Sequence, residues 1–109
     1  LEEAQLLTRR ILTQFREEVV RDGRTFMVMY VPHGNEEVRG RLGPGQSWFP
    51  WLSETCAELG IELLDPRERL REEDRAGRPT YDDHWSPAGH AVIASVMTER
   101  LAAGRAAVR

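Results

Sequence analysis

The chain has 109 residues, 40% of them hydrophobic, enough apolar content for a packed core and too much for a disordered segment. Its formal charge is -3 at pH 7 with acids and bases interspersed, so no basic stripe suits nucleic acid and no polybasic block suits a membrane surface; a small neutral or polar partner fits better. Cys56 is the only cysteine, which excludes an internal disulfide and a Cys-built zinc site and leaves the compartment, cytoplasmic or exported, open.

Ala4, Leu7, Ile11, Phe15 and Val19 recur at spacings of three and four with Glu and Arg on the other face, which predicts an amphipathic helix over residues 2–21, stopped by Gly23. TFMVMYV, residues 25–31, is continuously apolar and aromatic and closes at Pro32, the pattern of a strand buried on both faces of a parallel sheet, on which the helix is expected to pack. Residues 32–46 hold Pro32, Gly34, Gly40, Gly43, Pro44 and Gly45 and read as a long surface loop, a kind that often carries function. Ser47 as N-cap opens a helix over 47–59 with Trp48, Leu52, Cys56 and Leu59 on one face, and Gly60 ends it. IELLD, residues 61–65, predicts a short second strand, and PRERLREED behind it a charged helical turn broken by Gly77 and Pro79. Ser86 as N-cap and Pro87 at the first helical position then start a helix over 86–104, apolar from Ala91 to Leu101 and closed by Gly104.

Helix, strand, helix, strand, helix is the alternation that builds a parallel sheet with covering helices, so residues 1–109 are expected to form an α/β domain or part of one. Two strands alone make a marginal sheet. Further strands are therefore expected from upstream sequence or from a second copy, which makes self-association possible. Leu1 opens the chain in mid-pattern without Met, and the expectation is a piece of something longer. No run approaches the roughly 20 apolar residues of a membrane span, and no charged-then-apolar signal segment opens the chain. All 15 basic residues are Arg, a bias that points to a GC-rich, bacterial genome.

Two adjacent carboxylates and two histidines fall within DDHWSPAGH, residues 82–90, at the mouth of the last helix. Before Ser86 the backbone is expected to be extended, where side chains two apart share a face. Asp82 and His84 would then lie together with Asp83 turned away. That geometry suits a carboxylate that accepts the imidazole Nδ1 proton, fixes the tautomer and leaves Nε2 free to take a proton from a nucleophile. The plainer reading is a solvated Asp-rich turn beside a surface histidine. Asp82, His84 and His90, with His33 at a strand end, are also of metal-ligand type, but no His pair has the i, i+4 spacing of a helical zinc motif, and a capping role suits His90 better. Cys56 falls on the buried face of its helix and reads as inert. Of Trp48, Phe49 and Trp51, two read as core and one as exposed, with a lid or acyl-chain surface as the alternative.

DDHWSPAGHAVIA resembles the last conserved block of the SGNH, or GDSL-type, ester hydrolases, in which an Asp and a His before the final helix complete a Ser-His-Asp triad. The order of elements also resembles the C-terminal half of that three-layer α/β/α, flavodoxin-like fold with its parallel sheet. The resemblance covers nearly the whole chain, with residues 82–90 its specific part. It implies that His84 is the general base and Asp82 its orienting acid, that Trp85 and Gly89 are packing residues, and that His90 stands where the family often has His or Asn. The commoner family spacing is Asp-x-x-His, whose first position here is Tyr81. Asp-x-His followed by an aromatic residue and Ser or Thr is instead similar to the branch related to alginate-type O-acetyltransferases, so acyl transfer to a sugar hydroxyl stands beside hydrolysis. Neither the Gly-Asp-Ser nucleophile block nor the Gly-x-Asn oxyanion segment is present in these residues; in the family both lie upstream. Ser47, Ser53, Ser86 and Ser95 read as caps or helix residues. The resemblance thus implies a serine-type, lipase-like esterase acting on a small acyl ester or an acetylated carbohydrate without a cofactor. Its nucleophile would come from the N-terminal half of the domain, and the 109 residues alone are expected to be inactive. A non-catalytic interaction module derived from the same fold is the alternative.

Overall fold

The computed structural model describes residues 2–43 and 45–108, with side chains through Gly104. Pro44, one of the turn formers of the long loop, lies outside the described residues. In chain order the elements are α1 (Glu2–Arg21), β1 (Met27–Met29), α2 (Asn35–Val38), α3 (Phe49–Leu59), β2 (Glu62–Leu64), α4 (Arg67–Arg75), β3 (Tyr81–Asp82), β4 (His84–Trp85) and α5 (Pro87–Val108). Helix takes 61% of the chain, so the expected alternation of helix and strand is carried by very short strands.

β1 and β2 pair as a two-stranded parallel sheet, as the alternation predicts. The pairing runs one step past β1, where the Tyr30 N–H donates to the Leu64 carbonyl at 2.9 Å. Enclosure on both faces is not what the structure has: Met27–Met29 are half-buried and Val31 is exposed. Burying both faces of a strand requires a covering layer above and below, and among the described residues this sheet has two strands of three residues each.

Residue contacts divide the chain into two units, Leu1–Val28 with Trp48–Leu63, and Met29–Ser47 with Leu64–Arg109. In the first, α1 carries Glu2 and Glu3 in its first turn and Arg21 in its last, the arrangement its dipole favours. Gly23 ends it at φ 73°, and the Arg24 N–H returns to the Val19 carbonyl. Phe15 stacks on Phe26 at 5.0 Å, and Arg9 pairs with Glu58 at 2.7 Å. Yet α1 has no buried residue, and Leu7, Ile11 and Phe15 are 59%, 53% and 55% exposed. A helix of this length spans about 30 Å and a three-residue strand about 10 Å, so the sheet offers too little apolar surface to cover it.

α3 begins at Phe49 with Trp48 in the cap position and no side-chain cap bond, so Ser47 is not the cap the sequence suggests. A cap bonds the amide two or three residues on, and the second of these from Ser47 is Pro50, which has no N–H; the Ser47 hydroxyl donates to Glu37 at 2.9 Å. Gly60 closes α3 in the left-handed region at φ 68°, and the Ile61 N–H reaches back to the Cys56 carbonyl at 2.8 Å. Cys56 and Ile61 are buried in this unit, and burial pushes the Cys56 thiol pKa up, in keeping with an inert cysteine.

The second unit holds the main core. Val38, Leu70 and Val92 are buried together, with Trp85, Ile93 and Val96 packed against them. Val38 belongs to α2, a turn of helix inside the stretch read as a plain loop; Arg71 Nε caps it by donating to the Val38 carbonyl at 2.7 Å. Burial of Val38 and Glu37, which no local pattern announces, is what orders that segment. Among the described residues no helix is long and apolar enough to cross a membrane.

Candidate functional site

The stretch before Ser86 is not a single extended strand but a minimal antiparallel hairpin. Tyr81 pairs with Trp85 and Asp82 with His84, and Asp83 alone forms the tip at φ 59°. Asp is one of the few residues other than Gly that enters this left-handed region readily. Alternation along the two short strands then sorts the side chains by face. Tyr81 and Trp85 meet edge to face at 5.0 Å, with Trp85 on the core, and Asp82 and His84 lie opposite one another on the exposed face.

The base of the hairpin is fixed by buried polar bonds. Asp74 Oδ1 accepts from the Thr80 N–H at 2.9 Å and from the Thr80 hydroxyl at 3.2 Å. Thr80 is fully buried, and its carbonyl accepts from the Ser86 N–H at 2.9 Å. The Ser86 hydroxyl donates to the Pro79 carbonyl at 2.6 Å and accepts the Gly89 N–H at 3.1 Å, the N-cap bond expected of it. Gly89 sits so close that an added Cβ would lie 2.3 Å from the Thr80 carbonyl oxygen and 3.0 Å from the Trp85 ring. Gly89 and Trp85 therefore pack the hairpin against α5. On the other side Asn35 Nδ2 donates to the Tyr81 carbonyl at 3.1 Å, and Gly34 lies against the Tyr81 ring.

Opposed residues of an antiparallel pair have Cβ atoms roughly 5 Å apart, within reach of a carboxylate–imidazole hydrogen bond after a change of rotamer. That bond is not made here: among the described residues neither the Asp82 nor the His84 side chain has a hydrogen bond or ion pair, and both are exposed. His33 is exposed after β1 and His90 is exposed on α5. Among the described residues no three His, Cys, Asp or Glu side chains are grouped to hold a metal ion.

A second polar cluster, which sequence reasoning misses, lies just past the carboxyl ends of the parallel strands, where open α/β sheets bind ligands. Glu37 is 4% exposed and accepts from the Tyr30 hydroxyl, at 2.6 Å through Oε2, and from the Ser47 hydroxyl at 2.9 Å. The Arg67 guanidinium lies 5.7 Å from the Tyr30 ring centre and makes a two-pronged bond to Asp65, 2.9 Å at each prong. Burial, then the neighbouring Glu37 carboxylate, pushes the Tyr30 hydroxyl up to about 12. Burial also raises Asp65, but the bonds and charge of Arg67 together outweigh it and hold the carboxyl below its ordinary range. The one sequence signal for this cluster is a Glu in a Gly-rich loop three residues past Gly34, too common a pattern to single out.

Compared with known proteins, the chain matches no family model, no curated protein and no solved structure.

Proposed function

We propose that this chain supplies the general base and orienting acid of a Ser-His-Asp ester hydrolase of the SGNH type, within a three-layer α/β/α domain. His84 is the base and Asp82 its partner. The observation that carries the reading is the hairpin register: an Asp and a His directly opposed on one open face, on a loop pinned by a serine cap to a long helix. Such a base is held by rigid structure on one side and left accessible on the other, which proton transfer to and from a bound substrate requires. Asp82 closes onto Nδ1 when substrate and nucleophile are in place, since catalytic hydrogen bonds are often long in the unliganded state.

The nucleophile comes from polypeptide outside these 109 residues. Ser47 is engaged by Glu37, Ser86 caps α5, and Ser53 and Ser95 lie within α3 and α5. The substrate is a small acyl ester or an acetylated carbohydrate; the Asp-x-His spacing keeps acyl transfer to a sugar hydroxyl as the second reading.

The test is turnover of an activated acetyl ester by the full-length protein and by three variants, each checked for folding. His84→Ala is expected to lower kcat by several orders of magnitude, and Asp82→Asn by about 10²- to 10⁴-fold through the wrong tautomer. Asp83→Asn, at the hairpin tip, should change it little. Full activity without His84 would end the hydrolase reading, and a larger loss at Asp83 than at Asp82 would reassign the acid.

A further inference from the structure

Away from the hairpin's open face, α4 borders a polar hollow of about 300 Å³ lined by Arg39, Arg71, Asp74 and Arg75. Guanidinium groups gathered round one hollow suit an oxyanion, because each offers a planar fork of N–H donors. Two of the three are partly engaged. Arg71 gives Nε to the Val38 carbonyl at 2.7 Å and Nη1 to Glu68 at 3.0 Å, and Arg75 approaches Glu68 at 3.5 Å. Arg39 is held by a loose ion pair, Nε to Asp74 Oδ2 at 3.8 Å. Set against Asp74 and Glu68, the three arginines leave one net positive charge around the hollow.

Asp74 decides which oxyanion would fit. Its side chain is 9% exposed, and Oδ1 is fully occupied by Thr80. Oδ2 is buried and has no hydrogen-bond partner. A buried acceptor without a hydrogen bond is destabilising, and it calls for a donor. A bare anion such as sulfate would face it with another acceptor and be repelled. An oxyanion with its own O–H group does the opposite: the hydroxyl donates to Oδ2 while the remaining oxygens take the guanidinium donors.

We propose that the hollow beside Asp74 is a binding site for a protonated oxyanion, hydrogenphosphate or the singly protonated head of a phosphate monoester, recognised by its O–H group at Asp74 Oδ2 and held by Arg39, Arg71 and Arg75. Arg39, whose side chain is 43% exposed, swings out to admit the anion and closes on it. The site is independent of the ester chemistry proposed for His84, and binding here is measured without any activity assay.

The experiment is titration calorimetry of the protein at about pH 5.5 and constant ionic strength with inorganic phosphate, methyl phosphate and sulfate; below the second phosphate ionisation at about 6 both phosphates carry an O–H group and sulfate carries none. Phosphate and methyl phosphate should bind saturably, and sulfate at least about tenfold more weakly, the effect of one lost and one repulsive contact. The ratio between the first two tells whether the site takes the free anion or the head of a larger ligand. Arg39→Gln, a change at an exposed position, should weaken phosphate about tenfold or more. Asp74→Asn keeps an oxygen for Thr80 and places an NH₂ where Oδ2 stood, so the preference should turn toward sulfate. Equal binding of phosphate and sulfate by the unaltered protein, absence of saturable binding, or an Arg39→Gln variant that binds as before would each overturn the proposal. Should Asp74→Asn fail to fold by circular dichroism, the native selectivity and Arg39→Gln decide it.

Discussion

Gly89 and Tyr30 show how much single positions hold in this protein. An added methyl group at Gly89 would stand 2.3 Å from a backbone oxygen, an atom that cannot move without shifting the hairpin from α5. Gly89→Ala is expected to destabilise by about 2 kcal/mol or more, measured by urea unfolding, even though Ala is the better helix former. Tyr30 acts through protonation. Its hydroxyl is raised from about 10 to about 12, so the neutral form is the one the folded state prefers. For a group raised on folding, the contribution is fully present below the unfolded value and is lost as pH rises through the folded one. Stability should therefore fall between about pH 10 and about pH 12. Tyr30→Phe is expected to lower stability in the neutral range, because Glu37 loses a donor, and to flatten the alkaline decline; Tyr81→Phe serves as the control. An unchanged alkaline slope in Tyr30→Phe would show that the hydroxyl is not the group responsible.

Among the elements, the start of α5 governs the candidate site. Ser86 makes four bonds at once, from its N–H to Thr80, from its hydroxyl to Pro79, and as acceptor from the Gly89 N–H at its hydroxyl and the His90 N–H at its carbonyl. Cap loss alone typically costs about 1 kcal/mol, and here the hairpin is freed as well. Ser86→Ala should lower stability by about 1 to 2 kcal/mol and raise amide exchange from Tyr81 to Trp85, while Ser86→Asp retains the cap and shows a smaller loss. Exchange rates unchanged in Ser86→Ala would show that the hairpin does not depend on the Ser86 hydroxyl.

For the whole molecule, the exposed stripe of α1 sets the expectation. Leu7, Ile11 and Phe15 stand more than half exposed along one face of a 20-residue helix. Contiguous apolar surface of that kind drives association or marks a docking face. Sedimentation velocity should show concentration-dependent association of the chain, and Leu7→Glu with Ile11→Glu should suppress it. A compact monomer at every concentration would remove the stripe as an association surface.

Much of the chain's local chemistry is legible in the amino-acid order alone. Three-and-four spacing ending at Gly23 places α1, the apolar runs place both strands of the parallel pair, and Ser86-Pro87 places the start of α5, because capping, backbone permissiveness and periodicity are properties of a few adjacent residues. Asp82 and His84 do share a face, but by pairing across the hairpin and not by the alternation along one extended segment that the sequence suggests. What needs the tertiary structure involves partners distant in sequence. The α2 turn exists because Val38 is buried against Leu70 and Val92. The Tyr30–Glu37–Ser47 cluster spans 18 positions, and Asn35 reaches Tyr81 across 46. The shortfall in cover over α1 depends on how little sheet the chain forms. Hydrogen bonds and burial between remote segments leave no local pattern, so those residues look like ordinary loop polar groups until the fold brings them together.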